Sequence, residues 1–267
     1  MINPKKANRE LTKERWVIFG SEGLLGKQFS QELNAQNRNL LLISHKNCDI
    51  RNRSNVERII RQNDVVINCV AHTEVDKAET DANLVFSVNA YGAANLAAVS
   101  YAVGAKFIHF STDYVFGNST YGKSISFDAK KSPIGVYAKS KALSEELVFN
   151  IFSDQTIILR VSWLYGQFRE NFVTKILRAL AKGEKKQVVN DKFGQPTWTR
   201  DVVDMTLKVV EKNIFGIHHL TNSGFASRYD FAVRIAEFAG YSTSQIIEIS
   251  SNDMQPTAFR PHWSVLK

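Results

Sequence analysis

The chain has 267 residues, 44% of them hydrophobic and 22% charged, a balance that excludes a disordered or fibrous protein and supports a sizeable core. Net charge is +8, yet the basic residues are spread along the chain without an aromatic-laced stripe; no nucleic-acid partner is expected, and small anionic ligands such as nucleotides suit the charge better. No apolar run approaches bilayer length and the polar N-terminus lacks a signal-peptide core, so a cytoplasmic chain with no membrane partner is expected, with Cys48 and Cys69 as reduced thiols.

Residues 1–14 read as an N-terminal extension. Short apolar runs then follow at 15–19, 40–44, 65–70, 106–110 and 156–161, separated by segments of helical spacing at 23–35, 54–62, 82–102 and 137–152. This alternation predicts an α/β fold, a Rossmann-like doubly wound parallel sheet, over a dinucleotide-binding domain at 15–165. Beyond 166 the pattern changes. Helices at 171–183, 199–213 and 228–240 surround brief strands at 187–190 and 216–221, which predicts a smaller C-terminal substrate-binding subdomain, 166–267, interleaved with the first.

The first strand runs into Gly20, Gly23 and Gly26 and then into a helix. A glycine turn in this place lets backbone N–H groups and the helix N-terminus receive a pyrophosphate. The second strand ends at Ser44, His45 and Lys46, where an NAD-selective site would carry an acid for the ribose hydroxyl. The basic pair favours the extra phosphate of NADPH, with NADH as the second choice. The fourth strand delivers Ser111, Thr112 and Asp113 to the C-terminal edge of the sheet, the edge at which open α/β sheets bind ligands.

Tyr137 and Lys141 stand one helical turn apart and so share a face. A phenol titrates near pH 10, and a neighbouring cation is expected to lower that value. Tyr137 could then protonate a carbonyl oxygen while hydride arrives at its carbon and Thr112 hydrogen-bonds the same oxygen.

Together with "GSEGLLG", "VVINCVAHTEVDKAE", "VNAYGAANLA", "STDYVFG", "VYAKSKALSE", "VVNDKFGQPTWTRDV" and "FRPHWSVL", these features resemble the extended short-chain dehydrogenase/reductase family, in its dTDP-4-dehydrorhamnose reductase branch. The resemblance implies NAD(P)H-dependent reduction of a dTDP-linked 4-keto-6-deoxysugar by Thr112, Tyr137 and Lys141. It places Gly23, Leu24 and Leu25 beneath the pyrophosphate, Asp49 and Ile50 near the adenine, and Ala71, His72 and Thr73 along the cofactor. Asn89 would support the site, and Thr112, Asp113 and Trp163 would meet the substrate, Trp163 offering a flat apolar face.

Two other readings stay open: a reductase of another nucleotide-linked 4-keto sugar, and a non-catalytic NADP-binding regulatory subunit of the same fold. Phe127, Arg169 and Ala138 stand where the family usually has Glu, a small residue and Gly, the first two flanking the expected sugar pocket. The sequence stops at "SVLK", short of the family's usual closing segment. Gln28 is not the carboxylate that a metal-linked dimer would want, so no protein-bound metal is expected; Mg²⁺ would act through nucleotide phosphates, in a monomer or homodimer.

Overall fold

The structure, a computed structural model, describes residues 14–254 and 258–267; all of the expected N-terminal extension except Glu14 lies outside the described residues. In chain order the first part comprises β1 (Arg15–Phe19), α1 (Leu24–Ala35), β2 (Asn39–Ile43), α2 (Arg53–Glu57), β3 (Val65–Asn68), α3 (Val75–Ala78), α4 (Ala82–Phe86), a π-helical turn (Ser87–Gly92), α5 (Ala93–Val103), β4 (Lys106–Thr112), α6 (Val136–Ile151) and β5 (Thr156–Val161). The second part holds β6 (Leu164–Tyr165), α7 (Phe172–Ala181), β7 (Lys186–Val189), β8 (Phe193–Gly194), β9 (Thr197–Trp198), α8 (Thr199–Glu211), β10 (Gly216–His219), β11 (Ala226–Ser227), α9 (Arg228–Phe238) and β12 (Ile246–Ile249).

The main sheet has the order β10-β5-β4-β3-β1-β2, with every pair parallel. Its inner strands are continuous apolar runs because both faces are covered. Trp16, Ile18, Phe110 and Leu159 face one core, closed by Leu25, Phe29 and Leu33 of α1 and Val202, Val203 and Leu207 of α8. Val17, Phe19, Phe107 and Ile158 face the other, closed by Leu96 and Val99 of α5 and Val148 of α6. A third core joins α7, α9, β7 and β12 through Ile176, Leu180, Val188, Ile235 and Ile246.

Two details differ from the sequence reading. The helix expected over 54–62 forms only at Arg53–Glu57, because the side chains of Arg15 and Asp64 take the backbone groups beyond it: Arg15 donates to the Ile59 carbonyl (2.8 Å), and Asp64 accepts from the Arg61 N–H (2.7 Å). The long helix at 82–102 is interrupted by the π turn. The strand expected at 216–221 forms at Gly216–His219 and pairs with β5 as an edge strand of the main sheet, which is where the C-terminal part interleaves with the first.

Candidate active site

The first structural requirement is met at the end of β1. Gly20 has φ +78°, and a Cβ there would sit 2.9 Å from the Cys69–Val70 peptide; one on Gly26 would sit 2.2 Å from the Gly20 carbonyl. The turn is therefore drawn in until only hydrogen atoms fit. Gly23 is the N-cap of α1 and supplies no capping side chain, which leaves the first N–H groups of the helix, at Leu24 and Leu25, free for an anion. Beside it a cavity of about 170 Å³ is lined by Gly20, His45, Asp49, Ile50, Arg51 and Val70, among others. Lys46 is exposed on the same turn, and the Asp49 carboxylate is forked by Arg51 (2.6 Å to Nη2).

Ala71, His72 and Thr73 follow β3 in an irregular segment. The buried Asn89 ties them to the helix of Tyr137: its Oδ1 accepts from the His72 N–H (2.7 Å), and its Nδ2 donates to Ser140 Oγ (3.0 Å), which in turn donates to the Tyr137 carbonyl (2.7 Å). Glu79 completes the seating of α6 by accepting from the Val136 N–H (2.8 Å) at its first turn.

Thr112 ends β4, and Tyr137 opens α6, with the Tyr114 ring set edge-on to it at 5.9 Å. The Thr112 hydroxyl donates to Asp113 Oδ1 (2.9 Å), accepts from the Tyr114 N–H (3.3 Å), and lies within hydrogen-bonding reach of the Tyr137 phenol. Asp113 is buried and also accepts from Ser162 and Ser264. Burial pushes its carboxyl up from the usual range, and the three hydroxyls oppose that rise.

Lys141 is only 2% exposed. Its Nζ donates to the Phe110 carbonyl (2.6 Å) and lies 3.3 Å from His109 Nε2. Burial lowers it to about 8, against the pull of Glu145. The expected effect on Tyr137 is absent. Its phenol is pushed up, by burial first and then by Asp113 and Tyr114, while only Thr112 opposes. The shared helical face is real, but the ammonium is anchored on the strand rather than on the phenol.

Sequence reasoning missed the support beneath Lys141. Asn68 Oδ1 accepts from the Val70 N–H, so its Nδ2 donates to His109 Nδ1 (3.0 Å) and the imidazole proton sits on Nε2, facing Ser144 Oγ (2.9 Å). The signal was a pair of polar residues, Asn68 and His109, in register on two otherwise apolar strands. Sequence reasoning also missed Arg228. Its guanidinium lies 3.5 Å from the centre of the Trp163 ring, hydrogen-bonds Tyr114, and covers one face of the indole expected to meet a sugar. Trp163 itself has φ +44°, and Gly194 makes room for its edge. Phe127 and Arg169 are exposed. Among the described residues no cluster of three or more His, Cys, Asp or Glu could hold a metal, and no helix is long and apolar enough to cross a membrane.

A parallel sheet with a glycine turn at its first strand and a Thr–Tyr–Lys set at the same edge defines a dinucleotide-dependent oxidoreductase of the short-chain dehydrogenase/reductase class. The profile of the RmlD substrate binding domain family matches residues 14–267, and the chain belongs to that family. It is 34% identical, over 98% of its length and 80% of the relative's, to a dTDP-4-dehydrorhamnose reductase of Mycolicibacterium smegmatis. It is 31% identical, over 95% of its length and 88% of the relative's, to a dTDP-4-keto-6-deoxy-D-glucose reductase of Streptomyces niveus. A crystal structure of dTDP-4-dehydrorhamnose reductase from Bacillus anthracis in complex with NADP superposes with a TM-score of 0.92 at 34% identity, over 96% of this chain and 90% of that one.

Proposed function

We propose that this chain is an NADPH-dependent reductase that converts dTDP-4-dehydro-L-rhamnose to dTDP-L-rhamnose. In this reading residues 15–165 hold the cofactor, and 166–267 supply most of the substrate cleft. The observation that carries it is the placement of Thr112 at the end of β4 and of Tyr137 and Lys141 one turn apart on α6, at the sheet edge that also bears the glycine turn. The names of the relatives supply the sugar.

The residues present fit a dinucleotide: a turn that a Cβ would fill, an uncapped helix N-terminus and a cavity next to both. Gly20, Gly23, Leu24, Leu25 and Gly26 would hold the pyrophosphate. His45, Lys46, Asp49 and Ile50 would hold the adenosine end, with Ala71, His72, Thr73 and Asn89 flanking the rest. Bound there, the reduced nicotinamide supplies the hydride.

The chain's own part is the proton. Its raised pKa keeps the Tyr137 phenol neutral, hence a donor, and it would pass its proton to the carbonyl oxygen of the sugar. Thr112, whose own proton is committed to Asp113, holds the phenol in place. The Lys141 ammonium, anchored on the Phe110 carbonyl, ties α6 to the end of β4 beside them.

The test is consumption of NADPH, and separately of NADH, with dTDP-4-dehydrorhamnose as substrate and NMR identification of the product. Formation of dTDP-L-rhamnose is expected. Turnover only with a different keto-sugar nucleotide would favour the second reading, for which the Streptomyces niveus relative is the motive. Tight NADPH binding without turnover of any keto sugar would leave a regulatory NADP-binding subunit.

A further inference from the structure

Arg228 is the first residue of α9, just after the N-cap Ser227. Its guanidinium is stacked on Trp163 and stands 5.1 Å from the Phe172 ring. Its one side-chain hydrogen bond among the described residues is to a neutral group, the Tyr114 hydroxyl. The buried Asp113 carboxylate attracts it through space but is already filled by Thr112, Ser162 and Ser264. No carboxylate of the described residues forms a salt bridge with it. Arg260, on the other side of Tyr114, is by contrast neutralised by a two-pronged pair with Asp76, and Lys192 points to His262 (3.2 Å).

A guanidinium has five N–H donors, and withdrawing it from water without an anionic partner is unfavourable. Stacking on an indole recovers only part of that loss. If Arg228 served packing alone, an apolar side chain over Trp163 would do the same work without a half-buried charge. Tyr114, which Arg228 hydrogen-bonds, stands edge-on to the Tyr137 ring, so the guanidinium lies one phenol ring away from Tyr137.

We propose that Arg228 is a substrate-binding residue whose guanidinium fork takes the diphosphate of the nucleotide sugar, at the phosphate next to the sugar. The proposal rests on the reductase reading above and extends it. Arg228 then does two things at once. It fixes the sugar's anomeric end with Tyr114 as spacer, and it covers one face of the Trp163 indole. Arg is required rather than Lys because only the fork can stay flat on the ring while pairing two phosphate oxygens.

Calorimetric titration of dTDP and of thymidine into the wild type, Arg228→Gln and Arg228→Lys tests this. Arg228→Gln should weaken dTDP by at least about tenfold, the loss typical of truncating one partner of a desolvated charge pair. Thymidine affinity, NADPH affinity and melting temperature should stay at wild-type values. Arg228→Lys should fall between the two proteins. Affinity of Arg228→Gln for dTDP within about threefold of wild type would overturn the assignment. Should Arg228→Gln fail to fold, Arg228→Lys decides: dTDP affinity equal to wild type overturns the fork. A wild type that prefers UDP, CDP or GDP would correct the base in the functional reading, and Arg228 would be judged on that nucleotide by the same criterion. A wild type that binds no nucleoside diphosphate would sink both the nucleotide-sugar reading and this proposal.

Discussion

At Tyr137 the donor and its support can be separated by mutation. Tyr137→Phe removes one oxygen and little volume, so NADPH affinity and folding should hold while kcat falls by about 10²- to 10⁴-fold, the usual contribution of a general acid. Retention of more than about a tenth of wild-type kcat would remove Tyr137 from that role. Lys141 makes a pH-dependent prediction with a definite sign. Its folded value, about 8, lies below the ordinary lysine value of 10.5, because burial disfavours the ammonium. Between those two values the unfolded chain holds more protons, so this side chain adds stability as pH rises and withdraws it as pH falls through about 8. The stability of wild type minus that of Lys141→Met, measured by urea unfolding, should therefore climb from pH 8 to pH 10 by at most about 1.4 kcal/mol per pH unit. A flat or falling difference would mean that the ammonium is not held out of water.

At the scale of elements, the glycine turn is the sharpest case. A Cβ on Gly26 meets backbone, the Gly20 carbonyl at 2.2 Å, which no side-chain rotation can relieve. Gly26→Ala should push α1 off the turn and weaken NADPH by at least about tenfold in a fluorescence titration, with the dTDP affinity little changed. Equal NADPH affinity would show that the close approach is not needed for cofactor binding. This turn was legible in the sequence because its glycines, the apolar run before them and the helical spacing after them are all local. The inner strands were legible for the same reason: burial on both faces makes them unbroken apolar runs. β10 was read as a strand, but its partner was not legible, because an edge strand is half-exposed and "GIHH" does not show which strand it lies against. The support under Lys141 was hidden because Asn68, His109 and Ser144 meet only when β3, β4 and α6 are side by side.

Across the whole molecule, Asp113 is where the two halves are fastened. Its carboxylate joins the end of β4, Ser162 after β5 and Ser264 near the C-terminus. The last residues run on from there: Val265 and Lys267 bond the backbone of Ile125, and Trp263 Nε1 donates to the Lys123 carbonyl (2.8 Å). Asp113→Asn offers one acceptor oxygen for three hydroxyls and should lower stability by about 1–3 kcal/mol, the range for a buried hydrogen-bonding group left unpaired. Chymotrypsin cleavage after the buried Trp263 should accelerate in parallel. An unchanged digestion rate would locate the fastening elsewhere, in the Arg260–Asp76 pair first of all.

The π turn at Ser87–Gly92 has a meaning for how this helix can change by insertion and deletion. A helix is a screw with a fixed pitch, each residue advancing it by about 100°. The extra residue in the wide turn sets α4 and α5 out of phase, so that Asn89 meets His72 and Ser140 while Leu96, Ala97 and Val99 meet the sheet. Loss of a single residue here, Ala90 for instance, would restore a uniform pitch. It would then force a choice: either Asn89 keeps its partners and the apolar stripe of α5 turns towards water, or the stripe stays packed and the link to the Tyr137 helix is lost. The chain can therefore tolerate substitutions along this rod far better than any change in its residue count. A ΔAla90 protein that kept both wild-type kcat and wild-type melting temperature would show that the two contacts are not geared together.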